Sequence, residues 1–125
     1  MAVQQNQRDN SGGRAPEKLN LEEIVHLANK AGLEYAEAKK IAERLELLKA
    51  TERSRAMERY DDGKRSEARI KRMAETDEQY IRFLENLSQA RGECEKLKIR
   101  YESFKNLFEA RRSVLSYQKA EMKLY

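Results

Sequence analysis

A seven-residue repeat of apolar side chains, running from Tyr80 to the end of the chain, constrains the fold more than any other feature. One series of the repeat contains only residues that can be buried: Tyr80, Leu87, Cys94, Tyr101, Phe108, Leu115 and Met122. A second series, displaced by three residues, is apolar at most of its positions, with Arg111 and Gln118 as its polar members. Two such series are typical of a left-handed coiled-coil seam. The repeat predicts one helix over residues 77–123, about 70 Å long.

The composition agrees with a protein made of long helices. Charged residues make up 38% of the chain and hydrophobic residues 39%, and there is one proline. A chain this rich in Glu, Lys, Arg, Ala and Leu favours helices with narrow apolar stripes over a sheet with a thick core. We therefore predict an all-α fold: an antiparallel helical hairpin or coiled coil with one very long C-terminal helix and a short N-terminal helix.

The predicted organisation is a flexible tail followed by one helical domain. Residues 1–19 are polar and contain two glycines and the proline, which is typical of a flexible segment. Residues 20–125 form the predicted domain. Its helices are expected at about residues 21–31, 33–60, 64–75 and 77–123, and the pattern leaves open whether 64–75 is separate from the helix that follows it.

Several residues mark the predicted helix ends. Asn20 is a favourable N-cap, and Gly32 is a typical terminating residue for the first helix. The sequence DDG at 61–63 predicts a turn. Thr76 and Gln79 have the spacing of a capping box, which predicts the start of the long helix.

The helix at 33–60 is too short to cover the whole seam of the long helix. Its predicted stripe, Ala38, Ile41, Leu45 and Leu48, extends over about half of that seam. The helix at 21–31 can fold back over part of the remainder. The part of the seam that neither helix covers would be exposed on a monomer, which predicts self-association. The expected oligomer seam consists of Tyr101, Phe104, Phe108, Leu115 and Met122.

The excess positive charge lies in two blocks, one near the predicted hairpin tip and one at residues 98–125. The chain has a net charge of +4, and residues 49–72 hold nine Lys and Arg against five Asp and Glu. Such a cluster can bind the phosphates of DNA or an acidic protein partner. The alternative is a solvated face on which Glu52, Glu58 and Glu67 pair with the cations. The candidate contact residues are Arg53, Arg55, Arg59, Lys64, Arg65, Arg69, Lys71 and Arg72.

No pattern in the sequence predicts catalysis, a cofactor, a metal or a small-molecule substrate. Cys94 lies within the apolar repeat, which favours a small buried side chain over a redox or interchain role. His26 is the only histidine, and no residue near it in sequence completes a catalytic pair or a metal site. We therefore expect a protein that is not an enzyme.

The chain is expected to be cytoplasmic. It has no apolar run of the roughly 18 residues that a transmembrane helix requires. Its N-terminus lacks the apolar segment of a secretory signal, and a single cysteine suits a reducing compartment.

Residues 33–124 resemble a group of small phage and prophage helical proteins that are encoded near recombination or replication genes. The resemblance implies a non-enzymatic accessory role in phage DNA metabolism in the bacterial host cell, with phage recombination or replication proteins as partners. The segment RYDDGKR at 59–65 departs from that group. The matching residues are Arg72, Ala74, Asp77, Tyr80, Leu87, Ala90, Arg112, Ser113, Ala120 and Glu121.

Two other functions are compatible with the same pattern. One is a coiled-coil adaptor without nucleic-acid contact, similar in outline to the stalk-like coiled coils of flagellar and type III export machinery. The other is an inhibitor that docks a helical face on a host enzyme.

Overall fold

The computed structural model describes residues 19–123, which form three helices. They are α1 (Leu21–Tyr60), α2 (Glu67–Glu75) and α3 (Glu78–Lys123), and no strand occurs in this part of the chain. The all-α prediction and the very long C-terminal helix are confirmed. Residues 1–18 of the predicted tail lie outside the described residues. Leu19, the last residue assigned to that tail, is buried.

The predicted break at Gly32 is absent. α1 is one helix of 40 residues that passes through Gly32. A glycine inside a helix costs only about 1 kcal/mol relative to alanine. Continuing an existing helix adds one hydrogen bond for each residue fixed. The short N-terminal helix is therefore the first part of α1, and the short helix of the fold is α2. Asn20 is confirmed as the cap, because its Oδ1 accepts the N–H of Glu23 at 2.8 Å.

The junction between α2 and α3 differs from the prediction by one residue. Thr76 is the C-cap of α2 and donates its hydroxyl to the carbonyl of Met73. Asp77 caps α3 instead, since its Oδ2 accepts the N–H of Tyr80 at 2.9 Å. α2 is a separate helix with Ser66 as its N-cap. An aspartate is as good an N-cap as threonine or better, which explains the shift.

The described residues pack as two compact units. The first combines residues 19–31 with 101–123, and the second comprises residues 32–100. In the first unit Leu19 and Ile24 are buried. In the second, Ala56, Ala74 and Tyr80 form a core, and Leu87 is also buried.

The second unit is an antiparallel hairpin. Tyr60 of α1 bonds to Asp77, and Glu46 forms an ion pair with Arg91 of α3. From Tyr60 back to Glu46 on α1, the contacted residue changes from Asp77 forward to Arg91. The two helices therefore run antiparallel. α2 packs with both helices at the tip, where Ala56, Ala74 and Tyr80 form one buried cluster. This confirms the predicted hairpin within residues 32–100.

The face of α1 that packs includes only half of the predicted apolar stripe. Ala38 and Ala42 are buried and Leu45 is half-buried, whereas Ile41 and Leu48 are exposed. Ala31 and Ala56 continue the buried line. Small side chains let the backbones of two helices approach closely, so these four alanines face inward, whereas Ile41 and Leu48 lie outside the contact.

Two glycines give opposite predictions for the same substitution. Gly63 has a φ of +78° in the turn, whereas Gly92 lies within α3, and a Cβ added to either would meet no atom within 4 Å. Gly63→Ala is expected to destabilise the chain by about 1 kcal/mol, because alanine is strained at positive φ. Gly92→Ala is expected to stabilise it by a similar amount. Urea unfolding of both variants checks this, and equal signs would contradict it.

Candidate interaction surfaces

The apolar repeat of α3 becomes progressively more exposed along the helix. Tyr80 and Leu87 are buried, and Cys94, Tyr101 and Phe108 are half-buried. Leu115 is exposed, and Met122 is 77% exposed. One series of the repeat thus changes from core to surface.

The aromatic part of the predicted oligomer seam is partly covered by the chain itself. Tyr101 and Phe108 line a shallow groove together with Val25 and Ala28 of α1. The Nζ of Lys105 lies 5.3 Å from the centre of the Tyr101 ring. Phe104 is also half-buried. These three aromatic residues therefore offer less free surface than the sequence suggested, because the first turns of α1 pack in the same unit.

The last turns of α3 carry the largest group of exposed apolar side chains on that helix. We refer to residues 111–123 as the α3 end. Arg111, at the start of this segment, donates to the carbonyl of Leu19 at 3.4 Å. The exposed apolar residues of the α3 end are Val114, Leu115, Tyr117 and Met122.

A single carboxylate organises the hairpin tip. The two oxygens of Asp77 accept the guanidinium of Arg59 at 3.3 and 2.5 Å. They also accept the hydroxyl of Tyr60 at 2.8 Å and the backbone N–H of Tyr80 at 2.9 Å. Asp77 is only 6% exposed. It therefore joins the end of α1 to the start of α3.

The same contacts shift the pKa values of all three side chains. Hydrogen bonding from Arg59 holds the pKa of Asp77 well below its usual range, with smaller contributions from the Tyr80 N–H and the Tyr60 hydroxyl. The hydrogen bond to Asp77 raises the pKa of Arg59 and also that of Tyr60. Arg59, a predicted phosphate contact, is thus tied to a nearly buried carboxylate.

Four other predicted contact residues also have acidic partners. Arg53 lies 3.6 Å from Glu75, and Arg55 lies 3.0 Å from Glu52. Lys71 pairs with Glu67, and Arg65 pairs with Asp62 while donating to the carbonyl of Tyr60. Most of the basic cluster is therefore neutralised locally by interleaved acids.

Three cations at the tip differ from the rest. Lys64, Arg69 and Arg72 are exposed, and none forms an ion pair with another residue between 19 and 123. Lys64 follows the turn, and Arg69 and Arg72 lie one turn apart on α2. We refer to these three residues as the tip cations. They are the part of the predicted cluster that remains open to an anionic partner.

The residues considered for metal or redox chemistry are dispersed. Cys94 is half-buried rather than buried, and His26 is exposed. Within residues 19–123 no three His, Cys, Asp or Glu side chains are placed to hold a metal ion. None of the three described helices has an apolar stretch of the length needed to cross a membrane.

Sequence reasoning missed the role of Asp77. The local pattern places this residue in the first turn of α3, and its neighbours Arg59 and Tyr60 lie on another helix. A hydrogen-bonded contact across 17 or 18 residues leaves no local pattern. The sequence did contain one signal: an aspartate, Asp77, at the start of α3, and an arginine and a tyrosine, Arg59 and Tyr60, at the end of α1.

Comparison with known proteins gives no further assignment, since no family model, curated protein or solved structure matches the chain.

Proposed function

We propose that the chain is a non-enzymatic helical interaction protein that self-associates through the α3 end. The observation that supports this is the cluster of exposed apolar side chains at Val114, Leu115, Tyr117 and Met122. Contiguous exposed apolar surface is typical of a protein–protein contact. Leu115 and Met122 are seven residues apart and lie on one face of the helix.

Polar residues on the same face suit a defined pairing. Arg111 and Gln118 occupy the second series of the repeat, on either side of Leu115. A polar residue at a seam position fixes register and oligomer state at some cost in stability. The α3 end therefore has an apolar contact area and polar seam residues that can select one register of the paired helices.

Replacing Leu115 and Met122 together by glutamate tests this proposal. The wild type is expected to exceed the monomer mass of 14.7 kDa in sedimentation equilibrium at about 100 µM. The double variant is expected to weaken the contact through the α3 end by about 100-fold or more and so to lower the average mass, because two apolar contacts are lost and charges are buried in their place.

The control is Ile99→Glu, which changes an exposed apolar residue of α3 outside the α3 end. It should leave the association unchanged. Helicity measured by circular dichroism should be the same for all three proteins. A mass distribution unaffected by the double substitution would refute the proposed surface.

A second candidate function is contact with DNA through the tip cations. One observation supports it: Lys64, Arg69 and Arg72 are exposed without ion-pair partners in the described range. The resemblance implies an accessory role in phage recombination or replication, but the tip segment 59–65 departs from that group. Phosphate contacts by Lys and Arg release counterions and are sensitive to salt. In this function the protein would assemble through the α3 end and bind DNA at the hairpin tip.

Charge removal at the tip tests the second candidate. With three phosphate contacts, the slope of log K against log salt is expected to be about −3 on duplex DNA. The triple Gln variant of the tip cations should abolish binding, and Arg82→Gln, which alters an exposed cation on α3, should leave it unchanged. If neither single- nor double-stranded DNA binds at low salt, the adaptor function without nucleic acid is favoured.

A further inference from the structure

A second exposed surface, with apolar side chains next to charged ones, lies on α1 on the side that the hairpin leaves uncovered. Leu33 is 74% exposed and Leu47 is 82% exposed, and Ile41 and Leu48 are also exposed. These positions span about 22 Å of helix. All lie in the unit formed by residues 32–100. We refer to residues 33–48 on this side as the outer face of α1.

The outer face is clearly separated from the packed face. At about 100° per residue, Leu33, Glu37, Lys40, Arg44 and Leu48 fall within an arc of about 80°. The buried line through the alanines of α1 is centred roughly 130° away from the middle of that arc. The outer face is thus a continuous strip that α2 and α3 do not cover in this unit.

The charges on this strip have no partners within the described range. Glu37 and Arg44 are exposed, and neither forms an ion pair with another residue between 19 and 123. They are seven residues apart, whereas side-chain pairs on one helix form at three or four residues. Glu37 and Arg44 therefore do not pair with each other within one chain, and Lys40 lies between them on the strip.

We propose that the outer face of α1 binds the same face of a second copy in an antiparallel, twofold-symmetric pair. With the symmetry axis between Lys40 and Ile41, Glu37 lies opposite Arg44 of the second copy, and Leu33 lies opposite its Leu48. Symmetry produces each of these contacts twice, which is the property of an isologous interface. Two ion pairs near the centre are then flanked by a leucine contact at each end.

The order of the charges selects this arrangement. In a parallel pair, Glu37 would face Glu37 and Arg44 would face Arg44, and like charges repel. The antiparallel arrangement pairs Glu37 with Arg44, whereas Lys40 lies near its own copy in either arrangement and does not discriminate between them. This interface is distinct from the α3 end, so the two surfaces can be tested separately. A chain that uses both can form assemblies larger than a dimer.

The test reverses the two charges singly and together. The full chain carrying Leu115→Glu and Met122→Glu serves as the background, so that the α3 end does not contribute. In this background a dimer is expected by sedimentation equilibrium at about 100 µM. Glu37→Arg alone, or Arg44→Glu alone, is expected to weaken the dimer about tenfold or more, since two attractions become repulsions.

The combined Glu37→Arg and Arg44→Glu variant restores opposite charges across the interface and is expected to recover the dimer. Recovery separates this interface from an effect on folding, because the double variant alters α1 more than either single one. A background protein that stays monomeric overturns the proposal. So does a double variant that remains as weak as the single ones.

Cross-linking determines the orientation. In a Cys94→Ser background, Lys40→Cys is expected to form an intermolecular disulfide, because the two copies of position 40 lie next to the symmetry axis. Leu33→Cys is the matched control. Its two copies are about 22 Å apart in the antiparallel pair and adjacent in a parallel one. Efficient cross-linking by Leu33→Cys would overturn the proposed arrangement.

Discussion

Leu87→Ala is expected to destabilise the chain by about 2–5 kcal/mol. Leu87 is 1% exposed and is one of the two largest fully buried side chains of the described residues. Truncation removes the transfer free energy of its methyl groups and leaves a cavity that the surrounding helices fill only in part. Urea unfolding followed by circular dichroism measures the effect as a lower midpoint with an unchanged slope.

Leu47→Ala is the matched control for this prediction. It makes the same chemical change at a leucine that is 82% exposed. Its effect is expected to stay within about 0.5 kcal/mol. Each variant should be measured at two protein concentrations, so that any change in assembly is separated from folding. Equal losses of stability at the two sites would show that Leu87 is not a core residue.

Asp77→Asn is expected to lower the melting temperature by about 10 °C or more. Asparagine keeps the size of the side chain but replaces one accepting oxygen with a donor. That donor would face Arg59, Tyr60 or the Tyr80 N–H, all of which donate to Asp77 in the wild type. Thermal unfolding measures the loss. The control is Glu78→Gln, because Glu78 is adjacent, exposed and paired only with Arg82 among the described residues.

The same substitution has a defined pH dependence. The pKa of Asp77 is lowered in the folded chain, so its stabilising contribution is complete above the unfolded pKa of about 3.9. Below that pH the unfolded chain takes up a proton that the folded chain does not, and the contribution decreases. The difference in stability between wild type and Asp77→Asn should be constant above about pH 5 and shrink below about pH 4. A difference that grows on acidification would contradict the assigned contacts.

The structure changes how the basic cluster is interpreted. The sequence offered eight cations as candidate contacts for phosphate or an acidic partner, with a solvated face paired to interleaved acids as the alternative. The structure assigns Arg59 to the Asp77 carboxylate and pairs Arg53, Arg55, Arg65 and Lys71 with nearby acids. Any nucleic-acid contact at the tip then depends mainly on the three tip cations. Surface ion pairs contribute little to stability, but they do reduce the field that a phosphate would experience.

Local patterns were sufficient to determine the class of fold. The seven-residue repeat predicted α3, the sequence DDG predicted the turn, and Asn20 predicted the cap of α1. Each depends on side chains within a few residues of one another, where helix geometry decides the contacts. For the same reason the pattern failed at Gly32, since a terminating residue does not end a helix whose neighbours favour continuing it.

The tertiary structure alone decided which of these surfaces are covered. Along one repeat, Leu87 is buried and Met122 is exposed, although the local pattern treats them alike. On α1, Ala38 and Ala42 are buried, whereas Leu33 and Leu47 are exposed. Burial depends on which other segment lies opposite, and that segment is distant in sequence. The physical reason is that a stripe on one helix specifies an apolar face, whereas its partner is set by the packing of the whole chain.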